Sequence, residues 1–418
     1  MKTKMQILQG FGQIGGNIIL LEGENSRIIL DIGVPVTEAD GNPTDLKFND
    51  KNDNKYLPDI PDLYKEKPDK KTVILISHAH LDHFGLLKYI NKSIPVYATK
   101  ITKKLIKKCS KLLYDNLFDD IKIKEIKDSL NLPDFIIECI PVNHSIAGAC
   151  AYTITDKKTN KTIFYTGDLR LHGRSIQDIE SVINPDYMII EGTTLSRENQ
   201  EKKTEQDIEN EMTEVFKEDK MSIVCCSPLN TDRLLSVYNA CKRSDKTLVI
   251  DPYTAYILEI FRGSDLPDYE SENIKVYCAP NSHSKKIFKN PRNKKFGINK
   301  ILFKEIMKEP EKYVIKDNFK VSSSIEKRKN INDINLVYSY WEGYLKDEKY
   351  RWSKYKNSLK LIHTTGHIVK DDLIKLIKKI QPKQIIPVHT LAKNKFQEYF
   401  GEKVLFANKN TVIEINDQ

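Results

Sequence analysis

The sequence predicts an α/β protein in which a second α/β domain is inserted into the first. Three observations carry that reading. Short apolar runs bounded by glycine and proline dominate the first 196 residues. Apolar runs alternate with helical patterns from Ser222 to Asp251. Residues of metal-ligand type end strand-like runs both before and after that middle stretch. Alternating strands and helices mark βαβ units on a parallel sheet. With 418 residues, 39% of them hydrophobic, the chain has material for more than one core. The expected borders make residues 1–196 the first part of the outer domain, 197–357 the insertion and 358–418 the part that completes the outer domain.

The elements follow in order. Lys4–Gln9 and Asn17–Glu22 are short strands separated by Gly10, Gly12, Gly15 and Gly16, and Arg27–Ile32 is a third, ended by Gly33 and Pro35. Val73–Ser77 is a continuous apolar run of the buried-strand type. A helical pattern starts at Leu86–Ile90, Pro95–Ala98 returns to strand, and Lys100–Leu117 reads as helix. Phe135–Val142, Ala149–Thr155, Lys161–Thr166 and Tyr187–Ile190 read as strands. Glu198–Lys217 is a long charged helix, followed by strand Ser222–Cys226, helix Asp232–Arg243 and strand Thr247–Asp251. Asn281–Asn330 is lysine-rich. Leu359–Thr364, Gln384–Val388, Val404–Phe406 and Thr411–Ile415 are strands around a helix at Asp371–Lys379.

Composition excludes several classes. No run of eighteen apolar residues exists, so no transmembrane helix is expected. The first residues lack the apolar core and cleavage site of a signal peptide. Seven cysteines are scattered with no CxxC spacing, which argues against a disulfide framework or a cysteine zinc site. A reduced, cytoplasmic setting without membrane association is therefore expected. The net charge of +9 permits a polyanionic partner. With 57 lysines against 10 arginines, the surplus fits a lysine-rich composition equally well.

The decisive stretch is Ser77-His78-Ala79-His80-Leu81-Asp82-His83, directly after a buried strand. His78 and His80 are two apart in extended chain, so both imidazoles point the same way. Asp82 and His83 lie on the following turn and can face a second point nearby. Imidazole and carboxylate donors suit zinc, with manganese or iron as alternatives, and the number of donors suits two ions. His144, Asp168 and His389 each end a predicted strand, where α/β sheets place their chemistry. Read singly, each is as well explained as a satisfied polar residue at a strand end. Together with the first motif they complete a two-metal site, with Asp168 as a carboxylate able to bridge.

This set of residues resembles the metallo-β-lactamase fold, an αββα sandwich. Asp186-Tyr-Met-Ile-Ile-Glu191 is similar to the acidic motif that opens a β-CASP insertion. His363-Thr-Thr-Gly-His367 resembles the histidine motif that closes it, and Pro387-Val-His389 the motif after that. Gly12-Gln-Ile-Gly15-Gly-Asn17 and Leu57-Pro-Asp-Ile60 resemble ribonuclease J. The resemblance implies that His78, His80 and His144 hold one metal, that Asp82, His83 and His389 hold the other, and that Asp168 bridges. It further implies catalytic roles for Asp82, Glu191 and His367, with Glu191 hydrogen-bonded to His367. His363, Thr365 and Gly366 match positions that contact substrate phosphate, and Thr365 stands where the family usually has serine. Only 29 residues follow His389, so the separate C-terminal domain of ribonuclease J is not expected. A homodimer is left open.

The implied activity is hydrolysis of phosphodiester bonds, most simply of RNA, with endo- and 5′-exonuclease action both open. Two zinc ions, or manganese, would generate hydroxide near neutral pH and neutralise phosphoryl charge. His367, 22 positions before His389, would protonate the leaving oxygen as general acid, held and charged by Glu191. A DNA nuclease of the same family and a small-molecule hydrolase of the metallo-β-lactamase fold are the alternatives. The insertion with Glu191, His363 and His367 speaks against the small-molecule reading. Secondary candidates for phosphate contact are Arg170, Arg174 and the stretch Ser227–Arg233, for which ion pairing and ordinary helix capping are competing readings. His172 and His283 read as surface residues.

Overall fold

The computed structural model describes residues 2–38, 40–44, 55–64, 68–174, 179–197, 202–279, 282–408 and 411–416. In chain order the strands are β1 (Thr3–Gln9), β2 (Ile18–Glu22), β3 (Ser26–Leu30), β4 (Lys71–Leu75), β5 (Val96–Ala98), β6 (Ile123–Glu125), β7 (Ser129–Asn131), β8 (Phe135–Pro141), β9 (Cys150–Asp156), β10 (Thr162–Tyr165) and β11 (Tyr187–Glu191). Then come β12 (Met221–Cys225), β13 (Thr247–Ile250), β14 (Ile274–Val276), β15 (Tyr313–Lys316), β16 (Ile334–Tyr338), β17 (Lys360–Leu361), β18 (Gln384–Val388) and β19 (Val412–Ile415).

The chain divides into two compact units, residues 1–171, 175–200 and 366–418 in one, residues 172–174 and 201–365 in the other. The first unit has two sheets, ordered β19-β1-β2-β3-β4-β5-β6 and β18-β11-β10-β9-β8-β7. Their facing side chains form one core. Met5, Ile19, Ile28 and Val73 from the first sheet meet Phe135, Tyr152, Ile163 and Ile189 from the second. The strand period of two sorts the other residues to the opposite face. Phe164, Met188, Ile190 and Ile385 point away and are covered by Leu373, Leu376 and Ile377 of the helix Lys370–Ile380 and by Phe396. With the helix Lys100–Leu113 beside β6, this is the αββα sandwich. β18 returns after the insertion to pair in parallel with β11, Glu191 opposite Val388, so chain segments far apart in sequence share one strand end.

The second unit is a single parallel sheet, β14-β13-β15-β12-β16-β17. Its strands are almost wholly buried apolar runs, as a sheet covered on both faces requires. β17 pairs with β16, which puts the second border at Thr365/Gly366 rather than 357/358.

Several elements differ from expectation. The helix from Lys100 stops at Leu113 because Asp115 and Asn116 take left-handed backbone at φ 45 and 67. The helix expected over 198–217 spans Glu205–Phe216, started by a capping box between Thr204 and Asp207, and residues 198–201 lie outside the described residues. Leu359–Thr364 shortens to β17, and Val404 makes only an isolated bridge to Ile385. Among the described residues no helix is long and apolar enough to cross a membrane, and all seven cysteines are free.

Candidate metal centre

β4 ends at Leu75, and His80, itself extended at φ −95 and ψ 145, precedes the short helix Leu81–Phe84. That change from strand to helix places His78, His80, Asp82 and His83 around one point of the first unit. His144 arrives from the loop after β8, Asp168 from the turn after β10, and His389 from the end of β18, where its φ is 51. A non-glycine residue at positive φ is held there by its surroundings. Here the His389 backbone N–H donates to the Gly10 carbonyl at 2.7 Å.

The seven side chains come together in two groups, His78, His80 and His144 in one, and Asp82, His83, Asp168 and His389 in the other. Within each, one donor atom per residue lies within 4.8 Å of the rest. Asp168 Oδ2 is the common point, 3.2 Å from His83 Nε2, 3.5 Å from His389 Nε2, 3.8 Å from His78 Nε2 and 4.0 Å from His144 Nε2. Asp82 Oδ2 is 3.2 Å from His389 Nε2 and 3.8 Å from His83 Nε2.

Hydrogen bonds behind the ligands fix which ring nitrogen faces inward. A carboxylate only accepts, so His83 Nδ1–H donates to Asp31 Oδ2 at 2.7 Å. The Ser77 hydroxyl donates to the same oxygen at 2.7 Å and accepts from His78 Nδ1–H at 3.0 Å. His144 Nδ1–H donates to the Gly366 carbonyl at 2.5 Å. The Thr193 hydroxyl is 2.8 Å from His389 Nδ1 and donates to the His389 carbonyl, so it accepts from the ring. Nε2 of all four rings is thus left as a lone-pair donor. His80 turns its Nδ1 inward instead, 3.1 Å from His78 Nε2 and 3.2 Å from His144 Nε2.

This donor set fits divalent cations. His83 Nε2 and Asp168 Oδ1 are buried without a hydrogen-bond partner, and buried polar atoms rarely stay unmatched. Burial, with neighbouring imidazoles, holds His78 and His144 well below the ordinary histidine range, and burial holds His80 down at about 4. Neutral imidazole is the ligating form. Against burial, the Asp168 carboxylate foremost raises His83 and His389, while neighbouring imidazoles hold Asp168 well below the usual carboxylate range.

Beside this cluster, His367 Nδ1 lies 3.0 and 3.1 Å from the two Glu191 carboxylate oxygens and 3.7 Å from Asp168 Oδ2. Glu191 is fully buried and also accepts from the backbone N–H groups of Leu169 and Thr193. Asp168, Glu191, His367 and His389 form a third group of donor geometry. The Glu191 pairing already occupies His367 Nδ1.

Other expected contacts fall elsewhere. In the second unit, His363 Nδ1 is 3.1 Å from the Ser339 carbonyl and 3.5 Å from an Arg233 nitrogen. His172 is buried, not a surface residue, and its Nε2–H donates to the Thr365 carbonyl at 3.0 Å. Arg170 is wholly buried on Asn143, Arg174 is bonded to Glu209 and Ser236, and Asn230 caps the helix Thr231–Arg243. These favour the structural readings of both arginines and of the Ser227–Arg233 stretch. The side chain of His283 lies outside the described residues. Sequence reasoning does not single out Asp31, Ser77, Tyr165 or Thr193. Asp31 carries one usable signal, a carboxylate ending the apolar run of β3.

Comparison with known proteins places these residues in context. A beta-lactamase superfamily domain profile matches residues 55–224, and a Zn-dependent metallo-hydrolase RNA specificity domain profile matches residues 359–406. Ribonuclease J of Helicobacter pylori is 30% identical over 188 residues, covering 42% of this chain and 24% of that protein. The probable RNase MJ4 of Methanocaldococcus jannaschii is 30% identical over 182 residues, covering 38% of this chain and 37% of that one. The transcription termination factor FttA of Methanothermobacter thermautotrophicus is 34% identical over 107 residues, 25% of this chain and 15% of that one. The match to the Helicobacter protein thus spans about a quarter of its length. A crystal structure of a protein of unknown function from Enterococcus faecalis shares the fold with a TM-score of 0.77 at 21% identity, covering 99% of this chain and 100% of that one.

Proposed function

Because this chain belongs to the β-CASP, ribonuclease J-like branch of the metallo-β-lactamase superfamily, we propose that it is a metal-dependent nuclease that hydrolyses phosphodiester bonds of RNA. The observation that carries this is the convergence of bare ring nitrogens on Asp168 Oδ2, with the Glu191–His367 pair at its side. His78, His80 and His144 would hold one zinc or manganese ion, Asp82, His83 and His389 a second, and Asp168 would touch both. Bound there, two such cations lower the pKa of water to roughly 7 and offset the charge of a phosphodiester. Asp31, Thr193 and the Gly366 carbonyl keep three ligand rings in the tautomer that presents Nε2. Glu191 holds the Nδ1 proton of His367 and orients the ring, which donates a proton to the departing ribose oxygen. The family resemblance alone supports a role for His363, Thr365 and Gly366 at substrate phosphate.

The test is to strip the purified chain of metal, add back zinc or manganese, and offer end-labelled RNA and DNA of one sequence. Metal-dependent cleavage of RNA in preference to DNA is expected. Equal cleavage of both would replace RNA by nucleic acid in general, and cleavage of neither would overturn the reading.

A further inference from the structure

Residues 273–304 contain no aspartate or glutamate and nine basic residues, in a chain with 58 acidic residues. This stretch lies within the second unit. Its described residues, 273–279 and 282–304, are folded. The helix Ser282–Lys289 is followed by a 3-10 helix, Pro291–Gly297, capped by Asn290. Ile287, Phe296 and Ile301 are buried, with Phe296 edge-on to Tyr269 at 4.9 Å. Asn293 Nδ2 donates to the Ile287 carbonyl, Lys295 pairs with Glu259, and Lys300 bridges to Val276.

Ile287, Phe296 and Ile301 turn inward, Ile298 and Leu302 are exposed, and the cations are turned out. Lys285, Lys286, Lys289, Arg292, Lys294, Lys300 and Lys304 are all exposed. Elsewhere in this unit surface cations find carboxylates, as in Lys203–Glu211, Lys217–Glu214 and Arg351–Glu326. Among the described residues Lys285, Lys289, Arg292, Lys294, Lys300 and Lys304 make no ion pair. Lys285 and Lys289 stand four apart on one helix face, a spacing at which like charges repel. Exposed, unpaired cations concentrated on folded chain are electrostatically costly alone and gain from a polyanion that releases its counterions.

We propose that residues 285–304 form a strip that binds the phosphate backbone of single-stranded RNA, a contact separate from the metal centre's own hold on the scissile phosphate. The choice of RNA as the polyanion rests on the nuclease reading. The helix Ser282–Lys289 disfavours a membrane surface, because an interfacial helix needs an exposed apolar face and here Ile287 is buried; Ile298 and Leu302, farther along the strip, are exposed, and the vesicle arm of the experiment below tests them.

The experiment uses the full chain, stripped of metal so that nothing is cleaved, and a fluorescent single-stranded uridine oligomer titrated at several salt concentrations. The variant carries Lys285→Glu, Lys289→Glu and Lys294→Glu. A control carries the same charge change in the first unit, at the exposed residues Lys104, Lys122 and Lys127. The strip variant should bind at least tenfold more weakly, and its log K against log salt should flatten by about 0.7 for each phosphate it no longer neutralises. Wild-type affinity and slope in the strip variant, or an equal weakening in the control, would overturn the proposal. Strip-dependent binding to anionic vesicles that exceeds RNA binding would overturn the choice of RNA. Hydrolysis of bis(p-nitrophenyl) phosphate by the metal-loaded wild type reads the metal centre alone. Its absence beside intact strip-dependent binding would sink the nuclease reading and leave the strip standing. Its presence beside unchanged RNA binding would do the reverse.

Discussion

The carboxylate of Asp31 holds His83 at 2.7 Å although 52 positions separate them, and neither side chain is exposed to solvent. The same carboxylate takes the Ser77 N–H, the Ser77 hydroxyl and the Tyr165 hydroxyl. Asp31 therefore serves one ligand directly and the backbone leading to two others. Asp31→Asn keeps the shape and removes the charge. Metal affinity measured by chelator competition should fall about 10- to 100-fold, the range for outer partners of ligating histidines. The metal-free fold should lose about 1–3 kcal/mol in urea denaturation, the cost of a mismatched buried acceptor. Unchanged metal affinity would remove Asp31 from the site.

Asp82→Ala should separate the two proposed ions. Wild-type protein loaded with zinc and desalted should contain close to two equivalents by elemental analysis. The variant should retain about one, because the donors of the His78, His80 and His144 group are untouched. A wild-type stoichiometry of one that Asp82→Ala leaves unchanged would contradict the dinuclear assignment.

His367→Ala should leave metal content and thermal stability as they are while RNA cleavage slows by about 10²–10⁴-fold, the usual range for a missing general acid. An activated aryl phosphodiester needs less protonation of its leaving group, so the variant should be impaired less on that substrate. Glu191→Gln should show the same pattern more mildly. Loss of a metal ion from His367→Ala would instead make His367 a ligand.

The metal-free protein should be most stable near the ordinary histidine pKa of about 6.5. His78, His80 and His144 stay neutral in the fold, chiefly through burial, and His80 titrates only at about 4. Between about pH 4 and 6.5 the unfolded chain binds more protons there, so stability rises with pH across that window. His83 and His389 are raised in the fold, so their contribution is full below about 6.5 and is lost as pH climbs through their folded values. Thermal melts of chelated protein across pH give the profile. Added zinc should raise Tm more at pH 7 than at pH 5, because protons compete for the same nitrogens. A flat metal-free profile would argue against neutral, buried ligands.

The ligands are legible in the sequence because they break a pattern. An imidazole or carboxylate at the end of an apolar strand is chemically out of place, and His78, His80, Asp82 and His83 do so within six positions. Asp31 and Thr193 stand alone, and Asp31 meets Ser77 through the pairing of β3 with β4 and Tyr165 from the facing sheet. The left-handed backbone at Asp31 and His389, φ 55 and 51, has no glycine to announce it. His172 reads as a surface residue because burial of a lone histidine depends on the Thr365 carbonyl, 193 positions away. β6 and β7 are three-residue edge strands, mostly exposed, and carry no alternation long enough to read. β15 is hidden in the lysine-rich stretch, where Tyr313–Lys316 is flanked by charge.

The order in which a ribosome releases these ligands follows from the return of β18 beside β11. His78, His80, His144 and Asp168 emerge early, and His389 follows 221 residues after Asp168. At about 5–20 residues per second that interval is roughly 10–40 s. On the proposed assignment, a nascent chain holds a nearly complete first site throughout that time while the second lacks His389. His367 is absent for all but its last few seconds. On the same assignment, hydrolytic capacity would arise only once the inserted unit has been translated, and the half-built protein would bind metal before it could cleave.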